Sequence, residues 1–231
     1  MGEVIDKLLM ICPSRGRPDK LARMLKTWRE TTFGYSDIIV VLDSDDESPY
    51  PVEKDVTYIV EERRNTPRTI NEHVMSRIDN YVGMAFTADD IRYRTKGWDK
   101  TIVETIKKAN SWAFVYGNDG YHDNTLGTHP AMGAKLVKAL GWVHREEFHH
   151  LFQDLILRDV MGRVGNVSYY LPDVIIEHMH PTAGKGVLDS TYAAYWNKEA
   201  YEHDSSLYHG LSESQIDEWA NKIKRAMHEN S

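Results

Sequence analysis

The sequence predicts an α/β fold: a mostly parallel central sheet flanked by helices, with a C-terminal loop and helix extension. Two patterns carry that expectation. Short apolar runs alternate with segments whose apolar residues recur at three- and four-residue spacing, the βαβ rhythm of a parallel sheet covered by helices. Several of those runs end directly in polar or acidic residues, and open parallel sheets bind ligands outside the carboxyl ends of their strands.

Leu8–Cys12 reads as a buried strand, and Pro18 opens a helix with Leu21, Met24, Leu25 and Trp28 on its inner face. Ile38–Leu42 and Val56–Val60 are the next two strands. Thr66-Pro67 reads as the N-cap and first position of a helix that buries Ile70, Val74 and Met75. Val82–Thr87 is a fourth strand, running into Ala88-Asp89-Asp90. A helix marked by Ile102, Val103, Ile106 and Ala109 precedes a strand at Trp112–Tyr116. The second half changes character: a long polar loop from Gly117 to Pro130 is of the length that often carries function. Ala134–Leu140 is a short helix closed by Gly141. Phe148, Leu151, Phe152, Leu155 and Ile156 predict an amphipathic helix running to about Met161. Val167–Leu171 and Val174–His178 read as two further strands, the stretch after Pro181 as a loop, and Ser212 to His228 as a final amphipathic helix. No internal repeat, low-complexity tract or linker interrupts this order.

With 41% hydrophobic and 10% aromatic residues, the 231-residue chain can bury enough surface to offset its ordering entropy, which excludes a disordered protein. Its 28 Lys and Arg against 35 Asp and Glu give a formal charge of -7, so bulk charge does not draw it to nucleic acid. One cysteine, Cys12, excludes an internal disulfide and fits a reducing compartment. The opening apolar run is broken by Pro13, too early for a signal peptide, and no stretch approaches the roughly 18 apolar residues of a membrane span. A soluble, cytoplasmic protein is expected.

The sharpest chemical feature is Asp89-Asp90 at the end of the fourth strand. Adjacent carboxylates repel, and a hard divalent cation such as Mg²⁺ or Mn²⁺ relieves the repulsion while bridging to a diphosphate. A solvated acidic turn is the alternative from these residues alone. Asp43 ends the second strand, placed to accept hydrogen bonds from a ribose or base, with Asp45 and Asp46 beyond it expected to be solvated. Pro13-Ser14-Arg15-Gly16-Arg17 ends the first strand ahead of a helix N-terminus, where backbone amides and two guanidinium groups suit an anion; a basic surface loop reads nearly as well. His178 and His180 fall on one face if their strand persists. His149-His150 share no face and read as ordinary surface residues. Asp154 falls roughly 130° from the centre of the apolar stripe of its helix, facing either solvent or a cleft. Asp159 falls near that stripe and needs a partner if buried.

In this order and spacing, the motifs resemble those of nucleotide-sugar glycosyltransferases of the GT-A fold, near the large family 2 and its small phage-type members, over residues 8–192. The segment Ile11–Pro18 is similar to the family's nucleotide-holding strand and loop. Asp43 matches its base- or ribose-contacting acid, and Asn65–Asn71 its Arg/Asn segment. Ala88-Asp89-Asp90 stands at its metal motif, without the clean Asp-x-Asp pattern. Gln153-Asp154, followed by Arg158 and Gly162, resembles the helix whose Asp is the catalytic base, with Gln153 where a Glu is usual. His178-Met179-His180 and Gly184-Lys185 resemble its C-terminal histidine and flexible loop.

The resemblance implies one GT-A-like (Rossmann-like) domain over 1–231, with a nucleotide-binding half (1–117), an acceptor and metal half (118–192) and a C-terminal extension (193–231). It implies Mn²⁺ or Mg²⁺ held by Asp90, His178 and His180. Pro13, Ser14, Arg15, Asp43, Arg68, Asn71, Asp89 and Lys185 would hold a nucleotide-sugar donor, a UDP-sugar in the first instance. Asp154 would be the base of an inverting transfer to a hydroxyl on a phage-modified DNA base, a glycan or a protein. Arg145, Lys135 and Lys138 are the cations nearest the acceptor side. A nucleotidyltransferase would carry more glycine after the first strand than Gly16 alone; a non-catalytic nucleotide- or sugar-binding module would leave the acids merely solvated.

Overall fold

The computed structural model describes residues 4–229. Its centre is an eight-stranded sheet of order β3-β2-β1-β4-β7-β6-β8-β5. In chain order the strands are β1 (Ile5–Ser14), β2 (Ser36–Asp43), β3 (Thr57–Glu61), β4 (Tyr81–Phe86), β5 (Ile91–Tyr93), β6 (Phe114–Asn118), β7 (Ala131–Gly133) and β8 (Ser168–His178). The helices are α1 (Pro18–Thr31), α2 (Thr66–Met75), α3 (Trp98–Lys108), α4 (Ala134–Leu140), α5 (Gln153–Val164), α6 (Ser190–Tyr195), α7 (Lys198–Gly210) and α8 (Glu213–Glu229).

β3, β2, β1 and β4 run parallel, with Ser14 paired to Leu42, Leu42 to Val60 and Ile11 to Phe86. That register brings Ser14, Asp43 and the Asp89-Asp90 turn to one edge of the sheet. β7 pairs antiparallel to both β4 and β6, and β5 antiparallel to β8. Side chains alternate across each strand, so β1 feeds two cores. Leu9 and Ile11 join Met84, Phe86, Ile156 and Ile223 on the face covered by α2, α4, α5 and α8. Leu8, Met10 and Cys12 join Leu21, Leu25, Ile102 and Ile106 on the face covered by α1 and α3.

Several elements differ from the sequence expectation, each for a local reason. The N-cap of α2 is Asn65, one residue earlier than expected, with its side chain accepting from the Arg68 amide at 3.0 Å. α5 starts at Gln153 rather than Phe148, because Phe152 takes a left-handed backbone (φ 66°) that no helix interior tolerates. Phe148 still reaches the core, from a turn. The two expected strands after Val167 form one, β8, with a register shift where it passes Gly117-Asn118. β5 and β7, three residues each, are too short to show a period. The expected loop after Pro181 holds α6 and α7, which bury Tyr192 and then Ala200 and Asp204 among the described side chains. α8 falls where expected and buries Ile216, Ala220 and Ile223 against α4 and α5. Among the described residues no helix is long and apolar enough to cross a membrane.

Candidate active site

The parallel edge of the sheet opens into a cavity of about 650 Å³. Pro13, Ser14, Arg15, Asp43, Asp89, Asp90, Asp154, His178 and His180 all line it. Residues expected from separate segments of the chain therefore meet in one place.

At the floor the two neighbouring acids have opposite surroundings. Asp89 accepts from the Ser14 hydroxyl at 2.8 Å and lies 3.3 Å from Arg17 Nη1. Burial, and then the charge of Asp90, push its carboxyl up to about 6. Burial also opposes ionisation of Asp90, but His178 beside it at 3.6 Å and the Tyr192 hydroxyl donating to the same oxygen hold it well below the usual carboxylate range. Like charges this close push their titrations apart, with Asp90 the lower of the pair and Asp89 the higher. His180 ring nitrogen Nδ1 accepts from the Thr182 amide at 3.2 Å, and its ring sits against Tyr192 and Trp196. Burial lowers His180 to about 4 and the nearby His129 to about 3, keeping both neutral near pH 7.

The carboxylates of Asp90 and Asp89 supply the hard oxygen donors that Mn²⁺ or Mg²⁺ prefers, and the His178 imidazole beside Asp90 favours Mn²⁺ of the two. Among the described residues no three His, Cys, Asp or Glu side chains converge as a ready cation site. Asp90 and His178 are the pair already adjacent, and the His180 ring packs against His178, Tyr192 and Trp196 while its Nδ1 is engaged by Thr182.

The loop after β1 is more tightly built than the sequence suggested. Arg15 bridges Asp43 at 2.9 Å and Asp45. Asp46, expected to be solvated, accepts from the Gly16 and Ser48 amides and from the Ser48 and Tyr50 hydroxyls. Burial resists that ionisation, yet the four donors hold Asp46 far below the ordinary range, making it the organiser of the loop. Three expected donor residues lie off the cavity. The Asn71 amide is spent on the 143–146 segment, donating to the His144 carbonyl at 2.7 Å and accepting from the Val143 amide at 2.9 Å. Arg68 is exposed beside a separate groove on the outer side of α2. Lys185 pairs with Glu177 at 2.8 Å and donates to the Gly120 carbonyl.

Asp154 stands in the first turn of α5 and faces the cleft, the second of its two expected orientations. Burial raises its carboxyl above the ordinary value. Gln153 explains its own presence: its amide both accepts from the Arg145 N–H at 2.7 Å and donates to the Arg145 carbonyl at 2.9 Å. A carboxylate there could not donate to that carbonyl. Asp159 finds its partners in Arg158 at 2.8 Å and the Tyr208 hydroxyl at 2.7 Å.

The residues before Asp154 are held from α7. Asp204, fully buried, accepts from the backbone N–H groups of His149, His150 and Leu151 at 2.8, 2.9 and 2.8 Å. Phe152 stacks on Tyr208 at 5.2 Å, fixing its left-handed turn. His150 thus lines the cavity from a loop rather than from a helix. Asp204 escaped the sequence reading because its helix has no apolar stripe. Asp204→Ala strands three amides and is expected to lower stability by about 2–4 kcal/mol, measured by urea denaturation. Burial opposes the Asp204 charge, but the amides and His203 hold its carboxyl below the ordinary 3.8. Its contribution is therefore complete above that value and is lost as pH falls through the lower folded value, so the gap between wild type and variant closes in acid.

No protein-family model matches the chain, and no curated protein matches its sequence. Solved structures do. A mannosyltransferase from Pyrobaculum calidifontis, in complex with GDP-Man and Mn²⁺, superimposes with a TM-score of 0.57 at 13% identity, over 95% of this chain and 69% of its own. S. aureus TarS 1-349 in complex with UDP gives 0.55 at 12% identity, over 97% of this chain and 82% of that one. The chain has the fold of that mannosyltransferase. The GT-A-like architecture expected from the motifs is thereby established, on a chain that spans 44% of the longer S. aureus TarS structure it also matches.

Proposed function

We propose that the protein is a divalent-metal-dependent glycosyltransferase that moves a sugar from a nucleoside diphosphate to an acceptor hydroxyl, with inversion. The observation that carries this reading is the shared cavity: Asp90 with His178 at its floor and a half-buried Asp154 in its wall. Of the solved structures with this fold, one holds GDP-Man with Mn²⁺ and one holds UDP.

In this reading Asp90 and His178 hold the cation, which when bound neutralises charge on the departing nucleoside diphosphate. Pro13, Ser14 and Asp43 line the nucleotide end. Asp154 takes the proton from the acceptor hydroxyl as its oxygen bonds the anomeric carbon and the bond to the diphosphate breaks. The acceptor end is aromatic: Tyr121, Trp196 and Tyr201 line the cavity while staying 51%, 42% and 47% exposed. Such faces suit a sugar ring. The cavity's arginines are engaged by carboxylates, Arg15 by Asp43, Arg17 by Asp89 and Arg64 by Glu61 and Glu72. The cations expected on the acceptor side, Arg145, Lys135 and Lys138, are not among the residues that line the cavity; Arg145 pairs with Glu147, Lys138 with Asp79, and Lys135 donates to the Asn110 side chain. A saccharide acceptor therefore fits better than a polyphosphate chain, which needs cations at the cavity.

The test is a screen of UDP- and GDP-sugars for hydrolysis with and without Mn²⁺, repeated with neutral oligosaccharides and with single-stranded DNA. Metal-dependent sugar release that becomes transfer to a saccharide is expected. Pyrophosphate release from a nucleoside triphosphate and a sugar phosphate would instead make it a nucleotidyltransferase, and weak, metal-independent binding without turnover would make it a binding module.

A further inference from the structure

Residues 189–192, of which Thr191 and Tyr192 line the cavity, are fastened by contacts that the proposed reaction does not use. Asp189 accepts from Arg17 Nη2 at 2.6 Å, and its other oxygen lies 2.6 Å from Lys20 Nζ. The Tyr192 ring lies beneath both cations, 4.4 Å from the Arg17 guanidinium carbon and 4.8 Å from Lys20 Nζ. The Tyr192 hydroxyl donates to Asp90, and the Thr191 hydroxyl donates to the Arg15 carbonyl at 3.1 Å. Arg17 is only 10% exposed through its side chain, and its Nε has no hydrogen-bond partner.

A buried, under-satisfied guanidinium and an ammonium group at the N-terminus of the 14-residue α1 make a seat for an anion. A carboxylate from the chain itself sits in it. We propose that Arg17 and Lys20 form the seat for the donor's diphosphate, and that Asp189 and Tyr192 are internal competitors, one for that anion and one for the cation on Asp90. This rests on the donor reading above. The stretch that leads into residues 189–192 is loosely held: Val187 and Leu188 are 76% and 71% exposed, and Gly184, at φ 70°, takes a backbone conformation other residues avoid. Ligand affinity is then reduced by the fraction of molecules in which the segment is fastened, and a variant that releases it recovers that fraction.

The experiment is calorimetry on the full chain with inorganic pyrophosphate, UDP and Mn²⁺ as separate titrants. Asp189→Asn preserves the α6 N-cap, since Asn also accepts from the Tyr192 amide. It is expected to bind pyrophosphate and UDP roughly five- to tenfold more tightly than wild type. Tyr192→Phe is expected to bind Mn²⁺ more tightly, and Arg17→Met to lose pyrophosphate binding. As a second readout, pyrophosphate should change the tryptophan fluorescence of wild type but not of Trp196→Phe, and Asp189→Asn should show that change without ligand. Unchanged or weaker pyrophosphate binding by Asp189→Asn overturns the proposal. UDP binding that persists alongside that result leaves the donor reading standing; pyrophosphate binding tightened in the variant, with no nucleotide bound by either protein, removes the donor reading and keeps the anion seat.

Discussion

Asp154→Asn is expected to lose transfer by about 10²–10⁴-fold while binding donor as wild type does. The substitution keeps the side chain's shape and its place in the first turn of α5 but removes the carboxylate that would accept the proton in that part of the cavity wall. Donor affinity measured by calorimetry, set against turnover with acceptor present, separates the two effects, and normal turnover in the variant would remove Asp154 from the reaction. The pH profile gives an independent check. Burial raises the Asp154 carboxyl, so the unprotonated form needed to accept a proton is lost at higher pH than for an exposed aspartate. The acid limb of kcat/KM is therefore expected above the ordinary 3.8, and it should vanish from the residual rate of Asp154→Asn.

The parts of the molecule legible in the sequence are those governed by apolar periodicity and strand ends. β1, β2 and β3 lie within a few residues of their expected bounds because each is a short, mostly apolar run, and α1 because its buried residues recur at three- and four-residue spacing. The convergence of Ser14, Asp43 and Asp89-Asp90 followed from parallel pairing alone, since parallel strands deliver their carboxyl ends to the same edge. What escaped was held by polar contacts between distant segments. Asp204 reaches back more than fifty residues to cap three amides, and Asp189 reaches from the C-terminal segment to Arg17. Neither interaction leaves a periodic trace. The caps of α6 and α7 did leave one: Asp189 and Asn197 each precede the amide they cap by three residues.

Misplaced site residues show the complementary limit. Asn71 and Arg68 sit on α2 one turn apart, in a segment whose order along the chain matched the resemblance. A helix presents its residues around a full circle, and in α2 the face that meets the cavity carries Thr66, Thr69 and Ile70. Order along the chain places a segment at a site; only packing decides which of its side chains enter it.

Asp90→Asn is expected to have the larger effect on ligand binding. Asp90 is held far below the usual carboxylate range by His178 and Tyr192, whereas Asp89, raised to about 6, is already occupied by Ser14 and Arg17. Both acids carry charge near pH 7, but Asp90 is the one not already paired with a guanidinium, so removing its charge removes most of the attraction for a hard cation even though the amide oxygen remains. A ligand present at about 100 times its dissociation constant stabilises a protein by about 2.7 kcal/mol. Wild type is therefore expected to melt several degrees higher with saturating Mn²⁺ and UDP, and Asp90→Asn to show little of that rise. Asp89→Asn is expected to retain a larger part of it. If the two variants respond in the reverse order, the cation sits on Asp89, and Ser14 and Arg17 become neighbours of a metal-bound carboxylate rather than its sole partners.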